Sequence, residues 1–295
     1  MPKHILIQLD CDSQASTFDA VVAVDAGAEV LLRHGGVTPE NVVPLVHGAM
    51  FTRGGDDLRA TAIFVGGSDV AAAEAVAERV RQTFFGPVRV GVLVDPNGAN
   101  TTAAAAVIAA ARHVGIGPDC RAVVLGGTGP VGQRVARLLA GKAAEVTLAS
   151  RSHATAAAAA RRIEAAVPQA RIAAVGLDES LTRALATARV IVAAGAAGVT
   201  LLDEAERRRA TAARVIIDLN AVPPAGVAGI VATDKARPDG ATLLYGALGV
   251  GGTKLKIHKA AIANIFTDNT AFLDAEDLLA LGERLEQPAA PHAGR

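Results

Sequence analysis

Cysteine is almost missing from this chain. Its 295 residues hold two, Cys11 and Cys120, too few for a disulfide framework or a metal cluster. No metal site is expected. An excess of charge of either sign is also missing. Lys plus Arg is 29, Asp plus Glu is 29, and the net charge is zero. No surplus of cations is available to displace phosphate counterions, which excludes a general nucleic-acid binder. Long uncharged hydrophobic runs are absent too. The longest low-charge stretch, Pro96 to Ala111, is interrupted by Asn97, Asn100, Thr101 and Thr102. It is shorter than the ~18 residues a span needs, so no transmembrane helix is expected despite a mean hydropathy of +0.34. Aromatic residues are only 3% of the chain, so each one in a loop stands out. Lysine is scarce as well: positions 3, 142, 235, 254, 256 and 259 hold all of it, against twenty-three arginines. Three of those six fall within Lys254 to Lys259. Either an Arg-biased composition left them there by chance, or the segment needs a compact ammonium.

What is present is a globular composition, 51% hydrophobic and 20% charged. The length suits one large domain or two ordinary ones. Met1 to Asp10 reads directly into a strand pattern, so no signal peptide is expected and the protein is expected in the cytoplasm. Short apolar runs alternate with longer Ala-rich segments. His4 to Leu9, Thr61 to Val65 and Val88 to Val94 read as strands, with helical stretches over Ser68 to Phe84 and Asn100 to His113. Val114 to Asp119 reads as a domain joint. The alternation then restarts, with strands over Ala122 to Leu125, Glu145 to Ala149, Arg171 to Val175, Val190 to Ala194 and Val215 to Leu219. Near-continuous apolar strands separated by helices imply parallel sheets covered on both faces, here in two α/β domains joined near residue 118. A last helix is expected over Ala275 to Glu286, and a disordered tail from Gln287.

The most informative local sequence runs from Val123 to Gly132. It sets Gly127, Gly129 and Gly132 in G-x-G-x-x-G spacing between a buried strand and a helix over Arg134 to Ala140. Gly127 permits the tight turn, Gly129 lets the backbone approach a pyrophosphate, and Gly132 lets the helix pack on the strand. Thr128, Pro130 and Val131 complete a dinucleotide-binding loop whose anion faces the helix N-terminus. A plain Gly-rich turn is the competing reading. The next strand ends at Ala149 without the carboxylate that NAD-specific sites place there. Ser150 and Arg151 stand instead, and an arginine grips a 2′-phosphate bidentately, with a plain surface charge as the competing reading of Arg151. NADP is therefore favoured, with NAD open as a second acceptor. Ala194 and Gly195 end another strand in a small-residue loop that suits the nicotinamide side or, equally, a helix-entry turn.

A nucleotide fold does not name a substrate. Ser13 to Asp19 follows the first strand at its carboxyl end, where ligands bind in parallel sheets. Phe18 there stacks on a planar ligand or anchors the next helix. Asp19 bonds the ligand or caps that helix. Asn100, Thr101 and Thr102 cap the helix after Asp95 or bond a heterocycle. Arg53 meets an anionic tail or is a solvated loop charge. Gly246 to His258 reads as glycines preceding a helix on which Lys254 and His258, spaced i,i+4, share a face while Lys256 points elsewhere. A solvated basic face is the alternative.

With these residues in view, the chain resembles the NADP-dependent methylene-tetrahydromethanopterin dehydrogenases of methylotrophic bacteria that also accept methylene-tetrahydrofolate. The likeness spans the first strand to Glu286. It is carried by Ser16 to Asp19, Phe51 to Gly55, Thr61 to Gly67, Phe84 to Pro87, Asn97 to Ala105, Gly126 to Gly132, Asn220-Ala221 with Pro223-Pro224, and Gly246 to His258. The resemblance implies a two-domain α/β fold similar to folate methylene dehydrogenases. Residues 1–118 with C-terminal helices 253–287 would form the pterin domain, and 119–252 the Rossmann NADP domain. It implies active-site roles for Phe18, Thr102, Lys254 and His258, further substrate contacts from Asp19, Asn97 and Thr101, and a cofactor contact from Asn220. It also implies a homo-oligomer, a trimer. Pro96 and Ala99 stand where serines are expected, and Ser152-His153 where a second cation often follows Arg151. The reaction implied is hydride loss from the N5–CH2–N10 bridge to the nicotinamide, giving a methenyl cation and needing no obligate proton acceptor. Two other readings remain at this point. A shikimate-type dehydrogenase needs a Lys–Asp acid–base pair, yet Lys3 is the sole lysine before residue 142. A non-catalytic NADP-binding sensor needs no converging polar groups.

Overall fold

The computed structural model describes residues 2–287, so the tail expected beyond Glu286 lies, from Pro288 onward, outside the described residues. The chain divides into two compact units. One comprises the chain up to Thr101 together with the chain from Leu255; the other is Thr102–Lys254.

The first unit is a parallel five-stranded sheet. Its strands are β1 (Ile5–Asp10), β2 (Val30–His34), β3 (Thr61–Gly66), β4 (Gly91–Val94) and the late β12 (Phe272–Leu273), in the order β12-β4-β3-β1-β2. Helices α1 (Thr17–Asp25), α2 (Val43–Phe51) and α3 (Val70–Thr83) connect them. α3 shows why such segments become helices. Val70, Ala73, Val76, Ala77 and Val80 are buried at helical spacing, and Asp69 caps the start by accepting from Ala72 N. Ala73, Val76, Ala77 and Val80 join Ile7, Leu9, Ile63, Val65 and Val92 in one core. The strand expected from Val88 begins only at Gly91, because Phe85 and Val88 exchange backbone hydrogen bonds across a tight turn. β2 and β12 escape the alternation pattern: β2 is a half-exposed edge strand, and β12 is two residues long.

The second unit carries β5 (Arg121–Leu125), α5 (Pro130–Gly141), β6 (Glu145–Ala149), α6 (His153–Ala166), β7 (Arg171–Val175), α7 (Glu179–Thr187), β8 (Val190–Ala193), α8 (Glu204–Arg209), β9 (Val215–Asp218), β10 (Arg237–Asp239) and β11 (Thr242–Tyr245). The order β10-β11-β9-β8-β5-β6-β7 is parallel throughout except for the β10–β11 hairpin. The topology reverses direction at β5, so the loop after β5 lies at the switch point where open α/β sheets bind ligands. The expected α/β architecture with parallel sheets and a Rossmann unit is what the chain forms.

Both unit boundaries fall inside unbroken helices, α4 (Ala99–Ala111) and α9 (Ala247–Ile265). α4 is buried from Ala103 to Ala110, and α10 (Ala275–Glu286) lies where the last helix was expected. Among the described residues no helix is long and apolar enough to cross a membrane.

Candidate active site

The loop after β5 is built by glycines with different duties. Gly126 alone in this loop takes a left-handed φ, +66°, so the turn expected at Gly127 is made one residue earlier. Gly127 is held to glycine by packing: a Cβ there would lie 2.3 Å from Leu148 Cδ2. At Gly132 a Cβ would lie 2.7 Å from Gly126 O and 2.8 Å from Gly127 Cα, so the helix can sit on the turn only without a side chain. At Gly129 the nearest atoms to a Cβ are carbonyl oxygens at 3.6 Å, which leaves the backbone open on one side. Gly129 is the N-cap of α5, Pro130 occupies the first turn, and no side chain caps the helix. The first amides of a twelve-residue helix are thus left for an external acceptor.

That opening leads into a cavity of about 420 Å³ within the second unit. Thr128, Gly129, Pro130, Ser150, Arg151, Ala194 and Gly195, all singled out from sequence, line it. Gly127, Val131 and Gly132 shape the loop without lining the cavity. Leu177, Val199 and Leu201 also line it, and sequence reasoning missed them. Their signal was only an apolar residue beyond a strand end. At Gly195 a Cβ would meet Leu201 Cδ1 at 2.6 Å, so a side chain there would push half-buried Leu201 aside. Arg151 is exposed at the rim, beside half-buried Ser150. Ser152, the next residue, is used up as the cap of α6.

Asn220, also singled out from sequence, does not line this cavity. Its Oδ1 accepts from Val222 N (2.9 Å), and its Nδ2 donates to Pro224 O (3.1 Å). The loop is anchored on buried Asp218, which accepts from Asn220 N and Val227 N at 3.0 Å. Burial pushes the Asp218 carboxyl above its ordinary value, and those backbone donors work against the rise. Asn220 therefore holds the shape of the loop after β9.

At the carboxyl edge of the first unit's sheet, Asp10 and Asp95 organise two loops. Asp10 accepts from Asp12 N and Ser16 N, at 3.0 and 2.9 Å, folding the chain after β1 into the start of α1. Ser16 then caps α1 by accepting from Asp19 N. Phe18, in the first turn of α1, is 55% exposed, so it does not anchor the core. Asp19 beside it is half-buried. After β4, Asp95 accepts from Asn100 N, Thr101 N and Thr101 Oγ1, the last at 2.6 Å. Thr101 has no exposed surface, so its hydroxyl is committed to this cap. Thr102 is half-buried, and Asn97 is exposed in a left-handed conformation at φ 52°.

Cys11, between Asp10 and Asp12, is half-buried. Burial, reinforced by the charges of Asp10, Asp12 and Asp69, pushes its thiol from 9.0 up to about 11. At pH 8 Cys11 is expected to react with iodoacetamide about 100-fold more slowly than an unperturbed thiol. Mass-resolved labelling should show its rate still climbing between pH 9 and 11.

The glycines of Gly246 to His258 lie largely inside a helix, not ahead of it, since α9 begins at Ala247. Close packing explains two of them. A Cβ at Gly246 would lie 2.1 Å from Val231 O, and one at Gly249 1.8 Å from Asp234 O. Lys254 is half-buried, and it makes no hydrogen bond or ion pair among the described residues. Its turn of helix is fixed by Arg112 Nη2, which donates to Thr253 Oγ1 at 2.9 Å. One turn on, His258 has no exposed surface and stacks on Phe64, with ring centroids 5.7 Å apart. Lys256 is exposed, and Lys259 pairs with Asp25 at 2.8 Å. Arg53 is no solvated charge: its Nη1 donates to Lys3 O and Ala60 O, both at 2.9 Å.

Comparisons with known proteins add to this geometry. Residues 17–97 match the family described as methylene-tetrahydromethanopterin dehydrogenase, N-terminal. The Bifunctional protein MdtA of Methylorubrum extorquens is 44% identical, over 97% of this chain and 100% of that protein. The NAD(P)-dependent methylenetetrahydromethanopterin dehydrogenase of the same organism is 33% identical, over 86% of this chain and 89% of its own length. Among solved structures, the ligand-free 5-ketofructose reductase of Gluconobacter sp. strain CHM43 aligns with a TM-score of 0.54 at 15% identity, covering 97% of this chain and 99% of that one. Quinate dehydrogenase from Corynebacterium glutamicum in complex with NAD aligns with a TM-score of 0.51 at 14% identity, over 96% of this chain and all of that one. At such identities these two structures speak for the fold alone.

Proposed function

Because this chain belongs to the methylene-tetrahydromethanopterin dehydrogenase family, we propose that it oxidises the methylene bridge of methylene-tetrahydromethanopterin, with NADP as the preferred acceptor and methylene-tetrahydrofolate as a second substrate. It is an NAD(P)-dependent oxidoreductase of one-carbon metabolism. The observation that carries the coenzyme half is the uncapped α5 end opening into a cavity rimmed by Ser150 and Arg151.

The glycine loop fits a dinucleotide on three counts. Its Cβ-free path admits a pyrophosphate at Gly129, the α5 amides are free to donate, and Arg151 stands where a 2′-phosphate would be gripped. When bound, the nicotinamide supplies the hydride acceptor. Gly195 and Ala194, which line the cavity, would hold the nicotinamide end of the coenzyme. Exposed Phe18 stacks on the flat pterin face, and Asn97, Asp19 and Thr102 bond its polar edge. Thr101 serves through Asp95, by fixing the first turn of α4. His258 serves through Phe64, by fixing the depth of α9.

Lys254 presents its ammonium to a polar group of the pterin. The product is a cation, and a second cation beside the bridge would cost several kcal/mol in a dry site. The ammonium must therefore sit on a carbonyl or carboxylate away from the reacting carbon. Its work is orientation, which hydride transfer demands because no proton has to move.

The test is NADPH absorbance with NADP or NAD paired with either methylene pterin. NADP with the methanopterin substrate is expected to be fastest. Lys254→Ala is expected to lower kcat/KM for the pterin at least tenfold, on the ~1.5–3 kcal/mol of a charged hydrogen bond, while Kd for NADP stays unchanged. A flat trace in all four pairings would remove the assignment, and a normal kcat/KM in the variant would remove the role of Lys254.

A further inference from the structure

At the end of the second unit's sheet opposite the glycine loop lies a row of charges that the hydride chemistry does not use. Arg121 opens β5 and pairs in register with Glu145, which pairs with Arg171 at the start of β7. On the other side, Arg189 precedes β8 and Arg214 precedes β9, each one residue ahead of paired positions. Backbone bonds lock the alignment: Arg189 N donates to Arg121 O at 2.8 Å, and Arg214 N to Arg189 O at 2.9 Å. The order across the sheet is Arg214, Arg189, Arg121, Glu145, Arg171. These residues and Asp119 line a cavity of about 650 Å³.

Like charges on neighbouring strands repel when nothing lies between them. Two of the arginines are already committed. Arg121 reaches Glu145 at 3.4 Å, and Arg171 donates to Pro118 O and Ala143 O. Arg189 and Arg214 form no ion pair among the described residues, and both are exposed toward this cavity. The chain as a whole is neutral, so this is a local excess: four arginines against Asp119 and Glu145. Three adjacent strands set the outer two arginines about 10 Å apart, a span that linked phosphates can bridge.

We propose that this row is a binding site for a compact oligophosphate, held chiefly by Arg189 and Arg214 with Arg121 turning from Glu145 to join them. Guanidinium forks match phosphate oxygens bidentately, which lysines in the same places would not. The site is separate from the coenzyme cavity, since a strand of four or five residues, about 15 Å, lies between the two ends of the sheet.

The probe is tripolyphosphate, titrated calorimetrically at low ionic strength into protein saturated with NADP, so that the glycine loop is already filled. Sulfate at matched ionic strength is the control. One-to-one binding of tripolyphosphate, weakened at least tenfold in the Arg189→Ala, Arg214→Ala double variant, is the expected result. An unchanged Kd for NADP in that variant would show that its second unit is folded. The Arg189→Lys, Arg214→Lys variant should fall between the two. Equal binding by the wild type and the alanine variant, equal heats from sulfate, or no binding by the wild type would each overturn the proposal.

Discussion

Replacing Arg151 by alanine is expected to raise KM for NADP at least tenfold and to leave KM for NAD within about twofold. The residue lines the cavity beside the β5–α5 loop, two residues after β6, where a carboxylate would select for the plain ribose. A charge-assisted pair contributes about 1.5–3 kcal/mol, roughly 10–150-fold in affinity. Arg151 is exposed, so the lower part of that range applies. Neighbouring Ser150 keeps a hydroxyl for the same phosphate, while Ser152 is committed to α6 and cannot compensate. Steady-state kinetics with both coenzymes decides the matter. An equal loss with NAD and NADP would mean that Arg151 shapes the loop and does not read the phosphate.

A larger effect is expected from Gly132→Ala. The added methyl would sit 2.7 Å from Gly126 O, inside contact distance to backbone that cannot rotate away. Either α5 lifts from the turn or the turn opens, and each outcome moves the uncapped first amides of α5, the proposed pyrophosphate donors. Overpacking of this kind costs about 1–3 kcal/mol, and for a chain of this size each kcal/mol lowers Tm by about 2–4 °C. Kd for NADP is expected to rise about 100-fold, two decades at about 1.4 kcal/mol each. Gly141→Ala, at the other end of the same helix, is the control, since a Cβ there meets nothing within 4 Å. It should leave Kd unchanged. A Gly132→Ala protein that binds NADP normally would show that the loop tolerates what the geometry forbids.

Much of this was legible in the sequence, and the exceptions have physical causes. The alternation of apolar strands and Ala-rich helices reports burial, so it found the buried central strands of both sheets. It missed β2, a half-exposed edge, the short β10–β11 hairpin at the other sheet's margin, helix α2, and β12, which is too short to carry a period. Glycine spacing located the loop between β5 and α5, but spacing does not say which glycine turns and which is crowded. Leu148, from the next strand, decides that for Gly127. Thr101 reads equally as a helix-capping or a ligand-bonding hydroxyl until Asp95 is seen to hold it. Lys254 and His258 share a helix face, yet the helix sinks along its length. The first stays half-exposed and the second ends against Phe64. Arg53 meets carbonyls seven and fifty residues away, a partnership no local pattern announces. The arginine row is likewise invisible in one dimension, because each member precedes a different strand and only register aligns them.

The pairing of β12 with β4 has a consequence for how this protein is made. β3 and β4 leave the ribosome early, but Phe272 and Leu273, which cover the open side of β4, are added roughly 180 residues later. At about 5–20 residues per second, that leaves the nascent sheet with a bare margin for on the order of 10–35 s. The second unit lies wholly within that interval of the chain and can be complete before the first one closes. Biogenesis thus runs from the inside outward. The second unit can mature first, while the half-built first unit carries an unpaired strand edge of the kind that invites self-association. Gly91 keeps that margin ready for its late partner, because any side chain there would collide with Ile265 O, which arrives on the same returning segment.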